Sequence, residues 1–583
     1  MNQHIRNRLS ILKILKKSLI IATIIIVTIM SIGSIYIYLN QDKIIQQFVS
    51  EANKHLNTKV EVGNISVSFI ETFPKLTIQF DDINIKGSIK TEQDLLQADN
   101  LSVTLDPFQI IEGNYVVEGV WIKNATCSII INKDGEVNYN ILKKAENGSA
   151  SFKVELSYVQ LVDVNFSYLN EESLNEIVLK TNETKASLIT ENSLYNINAL
   201  GNFQIDYIKV NNNIYLKEKL VQANSKLVYD DAKKSLEISP SDLIIENSEF
   251  QTYGNYQFKE DRNIKLFIEA KETDIQAITN LLPDNIASKL ARYNSDGSAY
   301  FDLSLSGSLD SKYGPELVIH FGLNDSRIDY AEKNVSVTNT SLEGFYSQSK
   351  LYDNTTALLE LKNVVGNLEG QKFESNLTLK NFEDLHLSLD FDGSMTTSAL
   401  FDFLKVKGLS SSEGELDVVI QFDGRINDLK SKELTNKVKT SGQLELKNIT
   451  LDSGLFKLPV YGLSGLLFVN QKDIAINDLS GSYGNSDFNL NGYFRNILAY
   501  LLLPNEPLGI EASFESKNLN LNELLSTKDK TSGNYTFKLS PKLRLSLNCT
   551  IDRMNFRRFR ANDLKGSVQI KNQRLSSESI VLN

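Results

Sequence analysis

One segment limits the fold before anything else is read. From Ser18 to Leu39 (SLIIATIIIVTIMSIGSIYIYL) the chain carries no charge, while residues 1–17 hold Arg6, Arg8, Lys13, Lys16 and Lys17 and no acid; the first acid is Asp42. A helix crosses the hydrocarbon of a bilayer with about 20 apolar residues, so residues 18–39 are expected to be a transmembrane helix. Cations collect on the cytoplasmic side of such a span. Residues 1–17 therefore read as a cytoplasmic basic tail, with everything after Leu39 across the membrane. Tyr36 and Tyr38 suit the far interface, where amphipathic rings settle. The competing reading is a cleaved signal peptide with Ser31-Ile32-Gly33 as its small-x-small site. Signal peptides have apolar cores of about 7–15 residues, and this run is longer. The anchor is preferred.

Charge and composition then exclude several classes. Without the five cations of the tail, the rest of the chain holds 56 cations against 72 acids, a net of −16 in a protein whose total is −11. An acidic chain argues against sequence-independent nucleic-acid binding. Two cysteines, Cys127 and Cys549, exclude a disulfide scaffold and a four-cysteine zinc module. Four histidines (His4, His55, His320 and His386) leave little material for histidine catalysis. The chain has no G-x-S-x-G elbow, H-E-x-x-H, P-loop or dinucleotide fingerprint. Asp390-Phe391-Asp392-Gly393 and Asn294-Ser295-Asp296-Gly297 read as turns, because the spacing and terminal Glu of a calcium loop are missing. No enzyme activity, cofactor or metal is expected.

After the anchor, Ile44, Ile45, Phe48, Val49, Ala52 and Leu56 recur at three- and four-residue spacing, one apolar helix face over about 41–56. The period then changes to two. Val60 and Val62, Leu76-Ile78-Phe80, Phe301-Leu303-Leu305, Leu387-Leu389-Phe391 and Leu416-Val418-Ile420-Phe422 all alternate with polar residues. Strict alternation between Gly, Asn and Asp turns marks half-buried antiparallel strands. They are too many for one closed sandwich of about a hundred residues. The fold class expected is mainly β: one transmembrane helix, then an elongated, twisted antiparallel β-sheet groove with a few short helices, placed at 274–293 (broken at Pro283), 397–405 and 519–525.

Those helices mark a repeat. After each one a glycine opens a strand, at Gly297, Gly414 and Gly533, spacings of 117 and 119 residues. A Leu-x-Gly follows within each unit, at Leu342–Gly344, Leu463–Gly465 and Leu564–Gly566. Glycine there suits a bend or bulge of the sheet. The third unit stops soon after its marker, which points to an early cap, a fragment or a docking partner at that end.

The stretch Asn57–Gly87 (NTKVEVGNISVSFIETFPKLTIQFDDINIKG), directly after an anchor and an amphipathic helix, resembles the start of the AsmA family. The residues that carry the resemblance are Val60, Val62, Ile65, Phe73, Pro74, Leu76, Ile78, Asp82, Ile83 and Ile85; Thr58 stands where the family often has Gly. Residues 297–566 look like the family's C-terminal region, and the middle of the chain fits by its strand habit alone. The domains expected are 1–17 tail, 18–39 span, 40–124 AsmA-like N-terminal region, 125–263 middle β-region, and 264–583 AsmA-like C-terminal repeats (297–413, 414–532 and an incomplete 533–583). The resemblance implies an inner-membrane-anchored periplasmic protein of Gram-negative envelopes, concerned with outer-membrane biogenesis and moving phospholipid along an apolar β-groove.

Groove positions are then expected at Leu76, Ile78, Phe80, Phe301, Leu303, Leu305, Leu387, Leu389, Phe391, Leu416, Val418, Ile420, Phe422 and Leu490. Phospholipid headgroups would meet Arg553, Arg557, Arg558 and Arg560, although a solvated strand face also accounts for that run. Membrane phospholipids, and envelope proteins at the C-terminal end, are the partners implied. Two other readings use the same residues: a non-transporting scaffold or chaperone for outer-membrane protein assembly that offers a sheet edge, and a surface adhesin.

Overall fold

The structure, a computed structural model, describes the chain except residues 1, 70–73, 91–92, 113, 142, 144–151, 192, 211–212, 259–261, 274, 282–287, 289–292, 310, 331–334, 399–408, 431–436, 454–457, 498–499, 501–505, 525–540, 578 and 582–583. It is mainly β, with one long N-terminal helix and a succession of long strands, almost all antiparallel to their neighbours. Two compact units are present: Met1–Glu260 with Thr279–Ser288, and Asp261–Ile278 with Lys289–Asn583.

The first unit starts with α1 (Asn2–His55), 54 residues without a break. At 1.5 Å per residue the rod is about 80 Å long. It contains both the expected anchor and the amphipathic face over 41–56. They are one helix, because no Gly or Pro stands between residues 34 and 55 to end the first part. Its Lys16–Gly33 stretch is long and apolar enough to cross a membrane, and none of it is buried in the protein. Its last turns are buried by one face: Ile44, Phe48, Val49 and Ala52 pack on the sheet. Phe48, 5% exposed, sits 6.1 Å from the Phe80 ring and 6.2 Å from Tyr115.

Beneath that helix lie β1 (Val60–Glu61) and β2 (Asn64–Ser68), both paired with β3 (Leu76–Ile85), then β4 (Leu96–Leu105), the helical turn α2 (Pro107–Ile111), β5 (Tyr115–Ile131) and β6 (Phe152–Asn170). Asp106 caps α2 by accepting from Phe108 N–H at 2.8 Å. Thr58 donates its hydroxyl to Lys86 O at 2.7 Å and so ties the chain before β1 to the end of β3. β7 (Asn175–Glu191), β8 (Leu194–Val210), the short β9 (Asn213–Tyr215), β10 (Lys219–Asp230), β11 (Ser235–Ile245) and β12 (Ser248–Gln257) complete the unit as an antiparallel meander.

The second unit runs β13 (Asn263–Thr273), β14 (Tyr293–Ser308), β15 (Glu316–Tyr330), β16 (Val335–Gln348), β17 (Ala357–Leu368), β18 (Gln371–Lys380), β19 (His386–Thr396), β20 (Leu409–Arg425), β21 (Lys439–Ser453), β22 (Val460–Asn470), β23 (Asp473–Tyr483), β24 (Ser486–Arg495) and β25 (Leu508–Ser516), each antiparallel to the next. Then come β26 (Leu519–Asn520), β27 (Leu543–Phe556), β28 (Phe559–Lys571), β29 (Arg574–Ser576) and β30 (Ile580–Val581). The antiparallel expectation is broken twice. β5 pairs β6 in parallel, and β25 and β26 pair β27 in parallel. Both joins follow long connections, as parallel pairing requires.

Of the short helices, α3 (Ile275–Leu281) follows β13 and α4 (Leu521–Leu524) follows β26, while Thr397 and Ser398 are helical after β19. The remainder of the 274–293 and 397–405 helices, and the strand expected at Gly533, lie largely outside the described residues.

The strands of the second unit bend in two runs, across β14–β18 and across β20–β24, while β18–β19 and β19–β20 pair without a shift. Register shifts fall between Asp296 and Ser298, Leu323 and Ser326, Thr338 and Ser341, Glu413 and Glu415, Leu446 and Ile449, and Ile476 and Leu479. Such extra residues kink a strand and sharpen its twist. Glycine makes part of the second run: Gly414 has φ +116°, and a Cβ there would lie 2.5 Å from Ile449 Cα. Gly344 and Gly566 do not have positive φ. The bends beside them are made by Asn339 (φ 52°) and Asp563 (φ 50°), with Asp325, Asn448 and Asp478 serving elsewhere. Short polar side chains tolerate the left-handed region best among non-glycine residues. Asn448→Val therefore lowers stability by about 1–2 kcal/mol, and Asn448→Gly changes it little. Denaturant midpoints of the two variants check this.

Candidate functional site: an uncharged apolar sheet face

The register turns alternation into rows. In the second unit, Ala270, Phe301, Phe321 and Gly344 lie side by side across β13–β16, and Leu361, Leu377, Leu389 and Phe422 continue the row across β17–β20. The Phe321 ring lies over Gly344, filling the place a side chain there would take; a Cβ would be 2.3 Å from it. A second row, Phe391–Ile420–Gly442–Val469–Ile474–Phe494, passes through Ile510 to Leu545 and Ile570 on β28. The first unit has the same construction: Leu188, Ile197, Leu227 and Ile238 adjoin across β7–β11. None of these rows contains Asp, Glu, Lys or Arg. Neighbouring side chains on one face of a sheet are close enough to make a continuous apolar surface.

The opposite face holds the charges. Arg327 Nε donates to Asp329 at 2.8 Å, Lys447 pairs with Asp417, and His386 Nε2 lies 3.1 Å from Asp423. Hydrogen bonds from Arg327 and Ser336 hold the Asp329 carboxyl below the usual range; Lys447 and Ser394 do the same for Asp417, and Ser388 and His386 for Asp423. A carboxyl depressed on folding stabilises the protein above its unfolded pKa, about 3.9, and that stability is lost as pH falls through the lower folded value. Far-UV circular dichroism stays flat from neutral pH to about pH 4 and declines below it. Unfolding that begins above about pH 5 contradicts this assignment.

The expected groove residues separate into three groups. Leu303, Leu305, Leu387, Leu389, Phe391, Ile420, Phe422 and Leu490 are half-buried on the apolar face. Phe301, Leu416 and Val418 share the face but are buried, at 4%, 7% and 8% exposed. Leu76, Ile78 and Phe80 do not lie on an open wall. They are 2%, 0% and 7% exposed, and α1 closes over this sheet, with Phe48 packed on Phe80. Period-two alternation shows which side chains share a face; it carries no information on whether a helix covers that face.

Arg553, Arg557, Arg558 and Arg560 are all exposed, with the Arg557 guanidinium 5.5 Å from the Phe556 ring centroid. Cys127 and Cys549 are free thiols on the apolar side, and burial pushes both up. His320 faces the Phe345 ring at 5.0 Å. Among the described residues no group of three His, Cys, Asp or Glu side chains is placed to hold a metal ion.

The first unit also carries an aromatic border beyond the residues expected from sequence. Tyr195 and Tyr229 stand 5.9 Å apart, Tyr229 and Phe258 6.0 Å, and Tyr256 and Phe258 4.6 Å. Its signal was present, since a tyrosine or phenylalanine stands near the same end of β8, β10 and β12. The register shift between Ile238 and Ser241 hides it, because it breaks the period in β11. In comparisons with known proteins the chain matches no family model, no curated protein and no solved structure.

Proposed function

We propose that this chain is a membrane-anchored carrier of glycerophospholipid, working in the envelope of a Gram-negative cell as an AsmA-like protein and without covalent chemistry. α1 holds it in the inner membrane with the basic tail in the cytoplasm. The sheet lies in the periplasm, where acyl chains slide along the apolar rows toward the outer membrane. The observation that carries this reading is the row from Phe391 to Ile570. It is apolar through nine strands in succession and free of ionisable groups, and most of its side chains are half-buried rather than sealed. A closed core would bury them, and a solvated face would be polar. Apolar surface of this kind offers acyl chains a water-free path. The Asn57–Gly87 resemblance and the preceding apolar helix point the same way.

The reading is tested by extracting the full-length protein from membranes in mild detergent and measuring its lipids by mass spectrometry. Phospholipid should be retained beyond the annulus held by a single-helix control carrying residues 1–55 alone. Equal lipid content in the two samples counts against the carrier reading and favours a non-transporting scaffold.

A further inference from the structure

We propose that the outward face of β27–β28, with its hairpin tip, docks on an anionic bilayer surface. This does not depend on whether the apolar rows carry lipid. The chain as a whole is acidic, at −11, yet from Leu543 to Lys571 it holds seven cations and only two acids, Asp552 and Asp563. The fold gathers these cations rather than scattering them. Arg553 lies opposite Asn562 and Arg560 opposite Asn555, so the two arginines are diagonal neighbours across the hairpin. Both are exposed, whereas Met554 is half-buried and Ala561, its cross-strand partner, is 3% exposed on the other face. Lys565 likewise points away from Leu564, which is 8% exposed. Arg558 occupies the two-residue turn between Phe556 and Phe559.

Like charges at this range oppose one another and weaken a hairpin, so the cluster brings no benefit to the fold itself. Other arginines of the second unit are paired with carboxylates: Arg327 with Asp329, Arg425 with Asp384, and Arg495 with Asp473. Among the described residues Arg553, Arg558 and Arg560 have no such carboxylate. Val581, 65% exposed, lies opposite Lys565 on this same face, and Phe559, 47% exposed, stands at the hairpin tip beside Arg558. Cations interspersed with exposed apolar side chains match the headgroup–acyl boundary of an anionic bilayer. An acidic protein partner would account for the arginines alone.

The test uses the full-length protein with α1 held in a phosphatidylcholine nanodisc. It is mixed with vesicles of phosphatidylcholine, or of phosphatidylcholine with phosphatidylglycerol, and floated through a density gradient. The protein is expected to float with the phosphatidylglycerol vesicles only, and to be released near 1 M salt, where the Debye length is about 3 Å. Each cation at an anionic surface contributes about fivefold. The triple variant Arg553→Gln, Arg558→Gln, Arg560→Gln is therefore expected to bind about a hundredfold more weakly, while Arg425→Gln binds like wild type. Circular dichroism confirms that each variant is folded. The proposal is overturned by equal binding to both vesicle types, or by a triple variant that binds as wild type. It is also overturned if the wild type binds no vesicle and the triple variant aggregates; the cations then only guard a sheet edge. Capture of an acidic envelope protein without vesicle binding overturns it as well.

Discussion

Phe422→Asp is expected to stop phospholipid transfer while the protein stays folded. Phe422 lies beside Leu389 in an uncharged row and is half-buried, so the new carboxylate remains within reach of water in the empty protein. The stability loss is limited to part of one ring's burial, about 1–2 kcal/mol. An acyl chain passing that point must strip water from the carboxylate, which costs several kcal/mol. Every 1.4 kcal/mol is a factor of ten, so transfer between donor and acceptor vesicles falls by about a hundredfold or more. Gln421→Asp places the same charge one residue away on the exposed opposite face and leaves transfer unchanged. Equal transfer by the two variants means that the face does not matter, and the carrier account then fails.

The second large effect concerns the sealed end of the first unit. Phe48→Ala removes a ring packed between Phe80 and Tyr115 and opens a cavity that rigid strands cannot close. Truncating a buried phenylalanine costs about 3–5 kcal/mol. Amide exchange in β3–β5 is expected to speed up accordingly, with strands β15–β19 of the other unit unchanged. A uniform rise across both units contradicts a core local to α1 and its sheet. Ile78→Asp has a still harsher consequence, because a carboxylate at a 0% exposed site has no water to return to. The contrast between Ile78→Asp and Phe422→Asp separates a closed core from an open face.

Much of this architecture was legible in the residues. An uncharged stretch from Ser18 to Leu39 leaves few options, and the alternation from Leu416 to Phe422 assigns a face to every side chain of that segment. Other features were hidden for physical reasons. Periodicity is local, so it could not show that α1 closes over the sheet around Ile78, or that the side chains around Phe422 are only half-buried. Bends at Asn339, Asn448 and Asp478 reverse the alternation within a strand, which obscured the apolar row through Ile474 and Phe494. The glycine markers drew attention to Gly344 and Gly566, whereas the bends there belong to Asn339 and Asp563. The parallel joins of β5 to β6 and β25 to β27 depend on which strand is free to pair after a long connection, and composition does not record that.

Paired photo-crosslinking tests the central claim most directly. A photoreactive residue is placed at Phe391 in one protein and at Asp390, its neighbour on the opposite face, in another; both are then activated in native membranes. The account predicts a phospholipid adduct at position 391 and none at 390. Lipid adducts at both positions, or protein adducts without lipid at 391, contradict it.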